Sequence, residues 1–217
     1  MNELIFFLHI LSAAAVIRFS LYLGKEALIT LVALMAILAN FFVLKQIDLL
    51  GFTVTCSDVF AIGDILCLNL LQVRFGKKSS TLAIIISLGA FLFFALFSQI
   101  HLLYTPSSVD TMHPHYFALL SPSPRLLLAS LVTFTLVQLF DVNFFGFLRR
   151  RFQANWQGLS FFSILISQAL DTVLFSFLGL YGLVSSMASI ILMSYAIKAT
   201  TLFLLSSFQW SRRLDVV

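Results

Sequence analysis

Six ionisable or strongly polar side chains lie inside otherwise apolar stretches: Asp58, Asp64, Asn69, Asp141, Asp171 and Lys198. Asn40, Gln99, Gln138 and Gln168 add neutral amides in similar surroundings. On insertion scales an ionisable residue at the centre of a membrane helix costs roughly 2.5–3.5 kcal/mol, and such residues usually face a bundle interior or a cavity. There they can bind a polar ligand or relay a proton. Neither an H-E-x-x-H zinc motif nor a G-x-S-x-G nucleophile elbow accompanies them, so the pattern points to binding and transport rather than catalysis. No cofactor and no metal site are expected. The pair His113 and His115 lacks the further Cys or carboxylate ligands of a four-ligand zinc site and reads as part of a polar loop.

Two of the polar stretches resemble each other. One contains Ser130, Thr133, Gln138 and Asp141; the other contains Ser160, Ser163, Gln168 and Asp171, with Phe145 matched by Phe175. The offset is thirty residues throughout. At about 100° per residue each set falls on one helix face. If the two helices are consecutive spans they run in opposite directions, which raises the possibility of an inverted repeat with a pseudo-two-fold axis in the membrane plane. Ser, Thr and Gln on such faces can also simply hydrogen-bond a neighbouring helix, at about 0.6 kcal/mol each. A carboxylate is a costlier device for that purpose. Lys198 is a candidate counter-ion for one of the aspartates. Asp58 and Asp64 lie in the Gly-interrupted stretch Cys56–Asp64, where the span could be broken or partly re-entrant with both carboxylates near water.

The elements that must position these groups follow from composition. Of the 217 residues 60% are apolar and 10% charged, and the mean hydropathy is +1.04. Soluble domains carry about 25% charged residues. That gap excludes a soluble domain, a disordered tail and a disulfide-rich module. Apolar runs give about seven spans, at Leu4–Leu23, Ala27–Leu44, Phe52–Val73, Thr81–Tyr104, Leu126–Leu148, Leu159–Leu180 and Leu183–Phe208. Each is long enough to cross about 30 Å of hydrocarbon as a helix. The expected fold is therefore an all-α polytopic helical bundle, a single transmembrane domain over residues 1–217 with one outer loop at 105–124 that holds every proline.

The basic residues then orient the bundle. Lys25, Arg74, Lys77, Lys78, Arg149, Arg150, Arg151, Arg212 and Arg213 fall on one side, against Lys45 and Arg125 on the other. Positive charge marks the cytoplasmic side, so the N-terminus is expected outside and the C-terminus in the cytoplasm. The same placement argues against a nucleic-acid footprint despite a pI near 9.3. The run Ile5–Leu11 followed by Ser12-Ala13-Ala14-Ala15 is like a signal-peptide core, but residues 2 and 3 are Asn and Glu rather than basic, which favours a retained helix. Cys56 and Cys67, eleven residues apart, would be separated by about 16 Å on one helix and read as small packing residues.

The order of these residues resembles a known family. Ala39-Asn40 with Lys45 is followed by Asn69-Leu-Leu-Gln-Val-Arg-Phe-Gly76-Lys77-Lys78. Then come Arg125, Ala129-Ser130 and Gln138-Leu-Phe-Asp141-Val, and after them Trp156, Ser163, Ser167-Gln168-Ala-Leu-Asp171-Thr172 and Phe175. Tyr195-Ala-Ile-Lys198 completes the set. From about residue 35 to 200 the chain resembles the queuosine precursor transporter family, formerly labelled a vitamin uptake family. The resemblance implies a six-helix core with an extra N-terminal helix here, in an inner-membrane importer of a 7-deazaguanine (queuine, preQ1 or preQ0) that feeds tRNA modification. It further implies a substrate site drawn from Asn40, Asn69, Arg125, Ser130, Gln138, Asp141, Gln168, Asp171, Thr172 and Lys198. In that reading Asp141 or Asp171 accepts the N1–H and 2-amino donors of the base in a bidentate pair, the amides serve its other groups, and Lys198 neutralises the unoccupied carboxylate. The family usually has Thr-Asp, and Glu four residues later, before Tyr-Gly; here Leu68-Asn69 and Val73 precede Phe75-Gly76. The expected partners are a small purine-like molecule and the bilayer, with a homo-oligomer possible. The rival reading is a transporter, or the substrate-binding subunit of an energised complex, for another flat heterocycle such as a vitamin.

Overall fold

The computed structural model describes residues 1–43, 45–49, 51–55, 57–121, 124–182 and 187–210. Leu44, Cys56, Pro122, Leu183, Arg212 and Arg213, all used in the sequence reading, lie outside the described residues. The helices are α1 (Asn2–Leu23), α2 (Lys25–Phe42), α3 (Asp58–Phe75), α4 (Lys77–Leu102), α5 (His113–Leu120), α6 (Pro124–Arg151), α7 (Trp156–Phe175, continued by a π-helical turn Ser176–Leu180) and α8 (Met187–Trp210). A short antiparallel hairpin, β1 (Gln46–Leu49) and β2 (Phe52–Thr55), joins α2 to α3. Among the described residues five helices are long and apolar enough to cross a membrane: α1, α2, α4, α6 and α7 with its π-helical turn. The fold is an all-α membrane architecture with one small β-hairpin.

The hairpin corrects the third expected span. Helix α3 begins at Asp58, not Phe52, because Phe52-Thr-Val-Thr alternates β-branched polar and apolar residues and follows Gly51, whose φ of +83° closes the turn. Leu49 pairs with Phe52 across that turn. The hairpin is tied back to the start of the chain by Asn2 Nδ2, which donates to the Asp48 carbonyl at 2.8 Å. The 105–124 segment likewise holds more than loop: α5 occupies its second half, and Gln99 Nε2 donates to the Leu120 carbonyl at 2.7 Å.

Helix α3 is the axis of the bundle. It packs against α1, α2, α4, α6, α7 and α8. Every residue from Ile62 to Gln72 is buried. Because its neighbours sheathe it, its carboxylates do not meet lipid, which removes the main objection to Asp64 and Asn69 in a membrane helix. Nor is it broken at Gly63. A Cβ there would lie 2.8 Å from Met35 Sδ, so the glycine makes room for the Met35 side chain of α2. The opposite composition marks the outside of the bundle. Ile5, Phe19, Ile85, Phe93 and Leu96 are all more than half exposed, as a hydrocarbon-facing surface requires. Along α4 the inward face instead carries Ser79, Ser80, Ser87 and Ser98. Such small residues let helix backbones come close, and Ser80 Oγ bonds the Leu68 carbonyl of α3 at 2.9 Å.

Alternating helix direction sorts the ends. The N-terminus, the hairpin and α5 share one end, here called the hairpin end. Lys25, Arg74, Lys77 and Arg149–Arg151 gather at the other, basic end. Helices α3 and α4 meet there at Gly76, whose φ of +84° and ψ of 163° fall in a region essentially confined to glycine. Gly76→Ala is expected to lower stability by about 1–3 kcal/mol, seen as a fall in the thermal midpoint of the detergent-solubilised protein. Gly158→Ala, where an added Cβ meets nothing within 4 Å, should leave that midpoint unchanged or raise it.

Candidate functional site

A cavity of about 630 Å³ lies between α2, α3, α4, α6, α7 and α8. Its lining comes from the C-terminal halves of α2, α4 and α7 and the N-terminal parts of α3, α6 and α8. Given the alternating helix directions, all of these segments lie toward the hairpin end. Gln46 of the hairpin and Leu119 and Leu120 of α5 complete the lining there. Its volume is in the usual range for a small-molecule pocket. The walls are aromatic. Phe41 and Phe94 face each other across α2 and α4 at 6.1 Å between ring centroids, and Phe91 and Phe134 across α4 and α6 at 6.4 Å.

Two polar pairs are set into this lining. On one side Gln138 Nε2 of α6 donates to Asp64 Oδ2 of α3. On the other, Lys198 Nζ of α8 meets Asp171 Oδ2 of α7 at 2.5 Å. Asp58, at the start of α3, is in electrostatic contact with both members of the second pair. Asp58 is 5% exposed and Lys198 6%, while the Asp171 side chain, at 24%, is the most open of the three. Within the same lining, Asp64 Oδ1, Gln138 Oε1 and Gln168 Oε1 are buried oxygens that meet no protein donor, and the hydroxyls of Thr133 and Thr172 are likewise unpartnered. A buried polar group left unpaired costs about 1–3 kcal/mol. Three of the five are acceptor-only oxygens, and the two hydroxyls can accept or donate.

In the basic half of the bundle buried polar side chains bond one another, although Asn69 Oδ1, Gln72 Oε1 and Asp141 Oδ2 meet no donor. Asp141 of α6 accepts hydrogen bonds from Ser163 Oγ and Ser167 Oγ of α7, both at 2.7 Å. Asn69 of α3 donates to Ser160 Oγ of α7 at 3.1 Å. Arg149 Nη1 reaches the Gln72 carbonyl at 3.3 Å, and Gly146 leaves room for the Gln72 side chain. Phe145, fully buried, fills the space between.

The residues singled out in the sequence thus divide. Asn40, Ser130, Gln138, Gln168, Asp171, Thr172 and Lys198 line the cavity. Asn69 and Asp141 lie outside the cavity lining, in the basic half, each with bonded partners and one unpartnered oxygen. Arg125 is exposed, and its Nε donates to the Leu178 carbonyl at 2.9 Å, fastening α6 to the π-helical turn. The lining also includes Asp58, Asp64, Ser98, Gln99 and Thr133, which the expected substrate site left out. The signal for Asp58 and Asp64 was present as two carboxylates six residues apart in an apolar run. The aromatic walls carried no signal, because the chain has 25 phenylalanines and most serve packing or lipid contact.

Comparison with known proteins places the chain in a class. Residues 56–209 match the family model described as "Putative vitamin uptake transporter", and the chain belongs to that family. It is a multi-pass membrane transporter, not an enzyme. It is also similar to a Bacillus subtilis (strain 168) protein named "Probable queuosine precursor transporter", 27% identical over 186 residues that cover 83% of this chain and 81% of the relative. No solved structure matches.

Because the Asp141 cluster is buried and internally bonded, Ser167→Ala is expected to destabilise the protein by about 1–3 kcal/mol, measured as a loss of thermal stability in detergent. Ser12→Ala removes only an exposed bond to the Leu8 carbonyl of its own helix and should have no measurable effect.

Proposed function

We propose that this chain imports a queuosine precursor, a 7-deazaguanine, across the inner membrane through the cavity at its hairpin end. The observation that carries the reading is the set of donorless oxygens on Asp64, Gln138 and Gln168. A guanine-type edge presents N1–H and 2-amino donors side by side, and a carboxylate flanked by amide oxygens is their natural complement. The aromatic walls suit a flat ring. The relative's name supports the same substrate class. In this reading Asp64, steadied by Gln138, holds the donor edge, with Gln168 and Thr172 beside it. Asn40 and Ser130 serve the ring's remaining polar groups, and Asp171 with Lys198 forms the facing wall.

All seven long helices cross the membrane in this proposal. Helices α3 and α8 do so inside the bundle or beside it, although their own apolar runs are shorter or interrupted by charge. The basic end is cytoplasmic and the N-terminus outside, so the cavity faces outward. The cluster of Asp141, Asn69, Ser163 and Ser167 is the inner seal, and transport opens it while closing the outer mouth. The two Q-x-x-D stripes of α6 and α7 support an inverted relation between those helices: Asp171 sits on the outer side and Asp141 on the inner side.

Two measurements test this. Purified protein is heated with guanine, queuine, its precursors and common vitamins. A deazapurine at about 100 times its dissociation constant should stabilise by about 2.7 kcal/mol. Stabilisation by a vitamin and by no deazapurine would favour the flat-heterocycle rival. In a cysteine-free background, Ala39→Cys should react with a membrane-impermeant maleimide from outside and be protected by the bound base, whereas Ser163→Cys should not react. Reaction only from the cytoplasmic side reverses the assigned orientation.

A further inference from the structure

The charged groups of the cavity do not balance. Among its described lining residues are three carboxylates, Asp58, Asp64 and Asp171, and one cation, Lys198. Lys198 is committed to Asp171, and Asp64 is held by Gln138, a neutral amide. Asp58 faces the Lys198–Asp171 pair, so it meets an ammonium whose charge is already engaged and a second carboxylate of its own sign. A buried carboxylate in that position is stabilised by an additional cation, which the cavity-lining side chains do not provide.

Independent of charge, the donorless oxygens of Asp64 and Gln138 place a ligand's hydrogen-bonding edge against the middle of α3. Asp58 and Asp64 lie six residues apart on that helix, about 9 Å along its axis. A bicyclic base lying along α3 with its edge on Asp64 directs a short substituent at its opposite end toward Asp58. This deepens the substrate reading given above and rests on it. We propose that the cavity selects a deazaguanine bearing a cationic amine on its 7-substituent, with Asp58 as the residue that determines this preference.

The position of the acid is distinctive. The chain lacks carboxylates at positions 69 and 73, where Asn69 and Val73 stand near the basic end of α3. Asp58 instead stands at the other end of the helix, in its first turn, within the cavity lining.

The test compares three ligands with one ring system: 7-aminomethyl-7-deazaguanine, 7-cyano-7-deazaguanine, and the aminomethyl compound capped as its neutral acetamide. Affinities are measured by calorimetry on the full-length protein in detergent at neutral pH, where a primary alkyl amine is cationic. The amine is expected to bind at least about 30-fold tighter than either neutral compound, as for a desolvated charge pair. In Asp58→Asn that ratio should collapse to within a few-fold, while Asp58→Glu retains a preference. Equal binding of all three by the wild-type protein overturns the cation preference and leaves the importer reading intact. Binding of none of them removes both. A preference that survives in Asp58→Asn assigns the contact to another carboxylate and overturns the role of Asp58. Should Asp58→Asn fail to fold, the wild-type ratio between the amine and its acetamide still decides the charge preference, and Asp58→Ser, which removes the carboxylate and keeps a small polar side chain, decides the residue: a preference that survives in it overturns the role of Asp58.

Discussion

A polar group in a bilayer must find its partner inside the protein, and the structure depends on how α3 meets that constraint. Lipid offers no hydrogen bonds, so an exposed Asp64 or Asn69 would carry its full desolvation cost. Surrounding α3 with six other helices changes the environment of every residue from Ile62 to Gln72. Once it is enclosed, two outcomes are possible for each polar side chain. It can be satisfied by a neighbour, which rigidifies the contact, or it can border a cavity, which leaves it available. In the basic half of α3 Asn69 donates to Ser160 and the Gln72 carbonyl accepts from Arg149, while Asn69 Oδ1 and Gln72 Oε1 meet no donor; in the hairpin half Asp58 and Asp64 border the cavity.

The close packing that makes this enclosure possible comes from small residues, not from hydrophobic force. Helices already in lipid gain little by exchanging hydrocarbon contacts for one another. They gain where backbones come near enough for dense van der Waals contact and short polar bonds. Ser80 against the Leu68 carbonyl is such a place. Gly63 and Gly146 instead make room for the side chains of Met35 and Gln72. The apolar bulk needed by the lipid is carried on the outer faces of α1 and α4 instead.

Much of this could be read in the sequence. Long apolar runs located the helices, and the basic clusters separated their ends. The periodic Gln and Asp of α6 and α7 identified the faces that turn inward. What escaped were features decided by tertiary neighbours. The Phe52–Thr55 strand lies next to an apolar helix, so hydropathy alone merged the two; only Gly51 and the β-branched alternation separated them. Asp141 and Asp171 look equivalent in sequence, and their surroundings differ because Ser163 and Ser167 face one and Lys198 faces the other. Asp58 and Asp64 could be recognised as unusual, but their proximity to a cavity depends on α2, α4 and α8, none of which is close to them in local pattern.

That difference between the two aspartates bears directly on how a transporter can work. Asp141 takes both serine bonds on Oδ1 and its Oδ2 meets no donor, so breaking the contact between α6 and α7 removes the partners this buried carboxylate has. Closure at the basic end is therefore favoured until another interaction compensates. The Asp171–Lys198 pair instead borders the cavity, where a ligand can reach it. In the transport reading, a substrate that bridges α3 to α7 and α8 acts on that junction, and the Asp141 junction opens as the walls at the hairpin end draw together around the ring. On the transport proposal, the unequal satisfaction of two similar motifs is what makes opening of one end conditional on occupancy of the other.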